Sequence, residues 1–309
     1  MSQSSSVSRQ APTAPSQRNG LWLVFGSALA WSFGGVFARY LDIADPWVVV
    51  SWRSMWAAAF LFCFMLWRDG FFGTLVLIAA MRLPALVVAL CFATASTAFI
   101  VALTHTTVAN ILLMQAGVPL IAAFLAFVLF GERVSLATAL AIAMVIAGVA
   151  VMVSQSFTGT ISPIGDALAL LISLAFAVAT VMTRRYAHIR MVPAVFLGIA
   201  IAGIVGFFNA GSLSVTPLQM TILFGFGALN LGAGLALFVT GARLVPAAMA
   251  ALIGTAEPVL APLWVWLIHA EVPSTRTLIG GLIVLCALLW HVTRQFLAQD
   301  RRPPLPPAA

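Results

Sequence analysis

The chain has 309 residues, of which 62% are hydrophobic and only 7% charged, whereas soluble domains carry about 25% charged residues. So few charges cannot solvate a surface on all sides, which excludes a water-soluble enzyme and leaves lipid as the solvent. The formal charge of +7 rests on arginine alone, since the chain contains no lysine; these arginines fall mainly in loops and tails, where membrane proteins place them, so they argue for no nucleic-acid partner.

In chain order, Met1–Asn19 is rich in Ser, Gln, Pro and Ala and reads as a disordered tail, with the folded part starting after residue 20. The run Leu21–Tyr40 is too long for a signal-peptide core. A spanning helix needs about 20 mostly apolar residues. Ten segments qualify: Leu21–Tyr40, Pro46–Trp67, Pro84–Leu103, Val108–Phe130, Leu136–Ser154, Ile164–Thr183, Val192–Gly211, Pro217–Phe238, Pro246–Ile268 and Ser274–Val292. Turn-forming or charged residues mark the joints, among them Asp42, Asp45, Arg68-Asp69-Gly70 and Gly131-Glu132-Arg133. The tightest joint surrounds His105. Phe71–Met81 is apolar but short, and is expected along the membrane interface. The chain after residue 295 reads as a second, proline-rich tail. Cys63, Cys91 and Cys286 all lie in apolar runs without metal spacing and are expected to be core thiols.

Arginine bias sets the orientation. With the N-terminus inside, 12 arginines lie on the inner side, Arg39 and Arg276 on the outer side, and Arg53 within a span. An even number of spans returns the C-terminus to the cytoplasm.

Two stretches repeat. Ala109–Pro119 runs on to Gly131-Glu132, and Ala248–Pro258 runs on to Ala270-Glu271. Pro119 to Pro258 and Glu132 to Glu271 are both 139 residues apart. A looser match relates Arg39 to Arg184 at an offset of 145. Five spans per repeat turn the second copy upside down, an arrangement typical of secondary transporters. The doubled pattern, in which small residues precede Pro-Leu or Pro-Val and an apolar run ends in Glu, resembles the EamA-domain transporters of the drug/metabolite transporter superfamily. The resemblance covers roughly Leu21–Val292, with repeats at 21–154 and 164–295. It implies an all-α membrane protein with ten transmembrane helices as two inverted five-helix EamA repeats around a central cavity. Most members export amino acids, other metabolites or toxic compounds, and some import nutrients. Ala270 stands where the family's usual ending has Gly.

Polar groups within a bilayer are functional candidates by default. Glu257 lies mid-way along span nine, where a carboxylate either binds and releases a proton or caps a kinked helix; Glu-Pro is common at this place in the family. Arg53 lies about two turns from the outer end of span two. It holds a substrate carboxylate, pairs with Glu257, or snorkels to the interface. Asn110, Gln115, Asn209, Asn230 and Thr255 line a cavity or bond between helices. Trp31, beside Ser32, suits stacking on a flat or cationic substrate, or simple packing. The glycines of span eight, Gly225, Gly227, Gly232 and Gly234, read as a hinge or as close packing. Pro119, Pro258 and Pro262 are expected to kink spans four and nine. Glu132 and Glu271 lie at helix ends and read as structural. His105, His188, His269 and His291 have no metal-ligand companion.

No G-x-S-x-G, HExxH or Walker A pattern occurs, and no cofactor, metal or catalytic residue is expected. The expectation is a secondary transporter for a small organic metabolite in the bacterial inner membrane, working as an exporter, with the lipid bilayer as its setting, protons as the coupling ion and a homodimer left open. Uptake of a vitamin or nucleobase is the alternative, and a membrane enzyme or receptor a distant third.

Overall fold

The computed structural model describes residues 14–131, 136–154, 162–186, 189–241, 244, 253–254 and 256–300. Among them every regular element is helical. The order is α1 (Ala14–Ser32), α2 (Gly34–Tyr40), α3 (Pro46–Ala79), α4 (Leu83–Ala102), α5 (Val108–Gln115), α6 (Val118–Phe130), α7 (Leu136–Val153), α8 (Pro163–Arg185), α9 (Val192–Asn209) and α10 (Pro217–Phe224). A π-helical segment, Gly225–Ala233, then leads into α11 (Gly234–Gly241), followed by α12 (Ala256–His269) and α13 (Thr275–Asp300).

Proline and side-chain caps open these helices. Pro46, Pro163 and Pro217 sit in first turns behind the caps Asp45, Ser162 and Thr216, where a missing N–H costs nothing and φ is already set. Gly70, at φ 70° and ψ 172°, bends the path of α3 and sends Phe71–Ala79 off as a short separate arm. Six helices are long and apolar enough to cross a membrane, or seven if α5 and α6, bent by 43°, form one span. Of the ten expected spans, those at Leu136–Met152 and Thr275–His291 are shorter apolar helices, and the start of span nine lies outside the described residues. Large apolar side chains face outward, including Trp67 (83% exposed), Phe72 (82%) and Phe208 (78%). Water would not tolerate such a belt, so the molecule is a multi-pass membrane protein.

Three expectations need correction. α1 begins at Ala14, inside the stretch expected to be disordered, and α13 continues to Asp300, past residue 295. Extending an existing helix adds one hydrogen bond per residue fixed, so helices outrun their apolar boundary. Cys63 and Cys286 are exposed rather than in the core. In lipid an apolar side chain gains little by facing inward, so burial does not follow from hydrophobicity.

The contacts pair off when the two halves are exchanged. α3 packs on α9 and α7 on α13; α1 against α11 is matched by α8 against α4; α3 against the π segment is matched by α9 against α4. The self-matched pairs run antiparallel. A Cβ on Gly206 would meet the backbone of Ser51, and one on Gly203 would meet Ser54 and Met55. In α7 and α13, Gly148 and Gly280 touch backbone to backbone, and Arg276 Nη1 donates to the Ser154 carbonyl at 2.9 Å. Only glycine admits such approaches, which replace the hydrophobic drive that lipid does not supply.

Candidate functional site

The middle of the bundle is built from interrupted helices. At Phe33 the first span breaks between α1 and α2, which weakens the bonding of the carbonyls just before it. Asn230, on the π segment, fills that gap: its Nδ2 donates to the Ala30 carbonyl at 2.6 Å and reaches the Trp31 carbonyl at 3.4 Å. The π segment swings Asn230 to 4% exposure beside α1. One helix defect thus satisfies another. Ser32 Oγ accepts from Trp264 Nε1 at 3.1 Å, and the Trp264 ring stacks on Phe33 at 5.4 Å between centroids.

Trp31 packs in the bundle: a Cβ on Gly234 would collide with its indole, and Phe238 lies 5.5 Å away. Its Nε1 is buried and has no hydrogen-bond partner. The span-eight glycines are close-packing points as well as part of a helix defect. Gly225 lies against Phe37, Gly232 against Phe60 and Gly227 against the Arg53 carbonyl.

Arg53 does not snorkel. It is 6% exposed, seven residues or about 10 Å into α3. Its Nη1 donates to Ser96 Oγ at 3.1 Å. The guanidinium carbon lies 4.4 Å from the centre of the Phe226 ring and 5.6 Å from that of Phe99, while Nε is buried without a partner. The expected pairing with Glu257 is not formed among the described residues. Glu257 is half-buried in the first turn of α12, twelve residues or about 18 Å from the far end of that helix, and has no hydrogen-bond or ion-pair partner among the described residues.

Asn110 is fully buried and its Nδ2 donates to Thr106 Oγ1 at 3.0 Å and Asp166 Oδ1 at 2.6 Å, a bond between helices. Gln115, at the end of α5, keeps a buried Nε2 without a partner. Asn209 Nδ2 donates within its own helix, to the Val205 carbonyl. Pro119 sits in the first turn of α6, just after the 43° bend; Pro258 is in the first turn of α12 and Pro262 inside it. Thr255, Glu132, His188, Arg133 and Arg243 lie outside the described residues.

Among the described residues, each end of the bundle carries an ion pair. At one end Arg39 Nε meets Glu271 Oε2 at 2.7 Å, Glu271 Oε1 accepts from the Val108 backbone N–H at 3.1 Å, and Arg39 Nη1 reaches the Leu103 carbonyl at 3.3 Å. At the other end of α3, Asp69 Oδ1 meets Arg190 Nη1 at 2.8 Å. Each pair joins the first half of the chain to the second. Sequence reasoning missed Ser96, Phe99 and Phe226 around Arg53, Trp264 on Ser32, and both ion pairs. It also missed Asp166, an acid just inside a span that the rule against intramembrane charge singles out. Among the described residues, no group of three or more His, Cys, Asp or Glu is placed to hold a metal ion.

A family model described as the EamA-like transporter family matches residues 18–154 and again 163–293. No curated protein matches the chain. Among solved structures 16 chains match. One, described as "Crystal structure of protein", has a TM-score of 0.63 and 17% sequence identity, over 92% of this chain and 99% of that one. At that identity the likeness is one of fold.

Proposed function

Because this chain belongs to the EamA-like transporter family, we propose that it is a secondary transporter that exports a small organic metabolite, an amino acid or a related compound, across a bacterial inner membrane. It performs no reaction of its own. Ten spans in two oppositely oriented halves, with both termini in the cytoplasm, are the proposed arrangement, and the antiparallel contacts of α3 with α9 and of α7 with α13 support it.

The observation that carries the reading is the pair of ties between halves, Arg39–Glu271 at one end and Asp69–Arg190 at the other, with Arg53, Gln115 and Glu257 at intermediate depth between them. Opening one tie while the other holds admits solute from one side only, which is alternating access. Protons are the proposed coupling ion, with Glu257 as their carrier.

Metabolite profiling of a deletion strain tests the reading. An exporter's substrate accumulates in the cells and falls in the medium; the reverse pattern assigns uptake, and an unchanged profile in both overturns transport of a cellular metabolite. Reporter fusions after Arg190 and Gly211 should report cytoplasm and periplasm respectively, and the opposite result removes the proposed orientation.

A further inference from the structure

Resting on the transporter reading, we propose that Arg53 is an anion-binding subsite and that the substrate carries a carboxylate, held edge-on by the guanidinium.

The donors of Arg53 are under-used. A guanidinium has five N–H donors and no acceptor. One goes to the neutral Ser96 hydroxyl at 3.1 Å, and Nε is buried with none. The acids of the described chain are occupied elsewhere or remote. Asp45 accepts from Trp47 and Gly211 N–H groups, Asp69 from Arg190, Asp166 from Asn110 and Glu271 from Arg39. Asp42 lies in the loop before α3, Asp300 ends α13, and Glu257 forms no pair with Arg53. Among the described residues this buried cation thus has no counter-charge, although a charge at membrane depth is expensive.

The surroundings tell which parts of the group stay available. The rings of Phe226 and Phe99 lie 4.4 and 5.6 Å from its centre, and such contacts offset part of the cost of removing a cation from water. Neither ring can accept in place of an anion at Nε, which is buried without a hydrogen-bond partner. Gly227 lets the π segment sit directly on the Arg53 backbone, fixing Phe226 in place. A carboxylate matches the guanidinium fork with two parallel N–H···O bonds. Among the described residues no other arginine is found in contact with this group, so a single positive charge serves here; one carboxylate balances it, whereas a phosphate dianion calls for more.

The test is binding to the purified protein in lipid nanodiscs of three acid–amide pairs: L-phenylalanine and its amide, L-leucine and its amide, benzoate and benzamide. At least one acid should bind ten-fold or more tightly than its amide. Arg53→Gln should abolish that ratio, and Arg53→Lys, which keeps the charge and loses the fork, should leave a smaller one. Should Arg53→Gln fail to fold, phenylglyoxal modification of the wild-type protein replaces it: the bound acid, and not the amide, should protect Arg53, read by peptide mass. Equal binding of acid and amide, failure of every acid to bind, or a ratio that survives Arg53→Gln overturns the proposal. Flux of the bound acid into proteoliposomes separates the two readings. Binding without flux removes the transport function and leaves the subsite; flux of a neutral solute, indifferent to Arg53, does the reverse.

Discussion

Ala270 repeats, 139 residues on, the left-handed backbone of Gly131: their φ angles are 55° and 64°. Each ends a helix and each donates its N–H to the carbonyl four residues back, Trp266 at 3.0 Å and Phe127 at 2.9 Å. The second half keeps the turn without the residue that suits it. A left-handed conformation costs an L-residue roughly 1–2 kcal/mol. Ala270→Gly should therefore stabilise the protein by about 1 kcal/mol, allowing for glycine's greater freedom when unfolded. Thermal unfolding in one detergent measures this, and a lowered midpoint would contradict it.

Removing the Arg39–Glu271 tie should favour the state open at that end. The side chains are 31% and 20% exposed, so the pair is worth about 1 kcal/mol or less, roughly a five-fold shift at most. In a background lacking Cys63, Cys91 and Cys286, a cysteine at Ser32 should react with maleimide two- to five-fold faster after Arg39→Ala. The exchange Arg39→Glu with Glu271→Arg should restore the slow rate. An unchanged rate in the single variant would show that this pair does not hold the end closed.

Glu257→Gln should fold and reach the membrane, yet transport with no dependence on pH. The amide keeps the shape and removes the titration. The elements packed against α12 are α1, α2 and α5; their charged groups are Arg18 on α1 and Arg39 on α2, and Arg39 is held by Glu271. Proteoliposome flux measured across pH settles the matter: a wild-type rate and pH profile in the variant assigns Glu257 a structural role.

Asn230→Ala should destabilise more than an ordinary surface change. It withdraws the 2.6 Å donor from the Ala30 carbonyl, leaving it only the long 3.4 Å bond from the Phe33 N–H, at a cost of about 1 kcal/mol. Asn230→Asp should not rescue it, because an ionised carboxylate only accepts. Thermal midpoints of the two variants beside wild type provide the check.

Helix starts were readable because local chemistry sets them: Pro46, Val108, Val192 and Pro217 begin helices where the sequence placed them. The repeat was readable from two equal offsets. Facing direction was not. A helix in lipid is apolar all round, so the periodicity that reveals a buried face in water is missing, and sequence gave the depth of Arg53 without its direction. The break at Phe33 carries no proline, and the π segment differs from an α-helix only in its hydrogen-bond register. Asn230 earned notice as a polar residue in a span, but its role depends on a break 197 positions earlier, at Phe33.

The seam between α7 and α13 has a consequence for ancestry. Gly148 touches Gly280, while Val145 and Val284, themselves 139 residues apart, both lie against Gly117. Ala141 and Ala287 complete the same buried cluster. Each half offers the same stripe to the other, so the seam is isologous, the kind that two identical chains form about a dyad. Joining the halves in one gene fixes them at one copy each and frees them to diverge. Glu257 now stands where the first half has Val118, and by the 145-residue offset Arg53 stands where the second half has Gly198. A symmetric frame can thereby hold a single copy of a group that two identical subunits would have to duplicate.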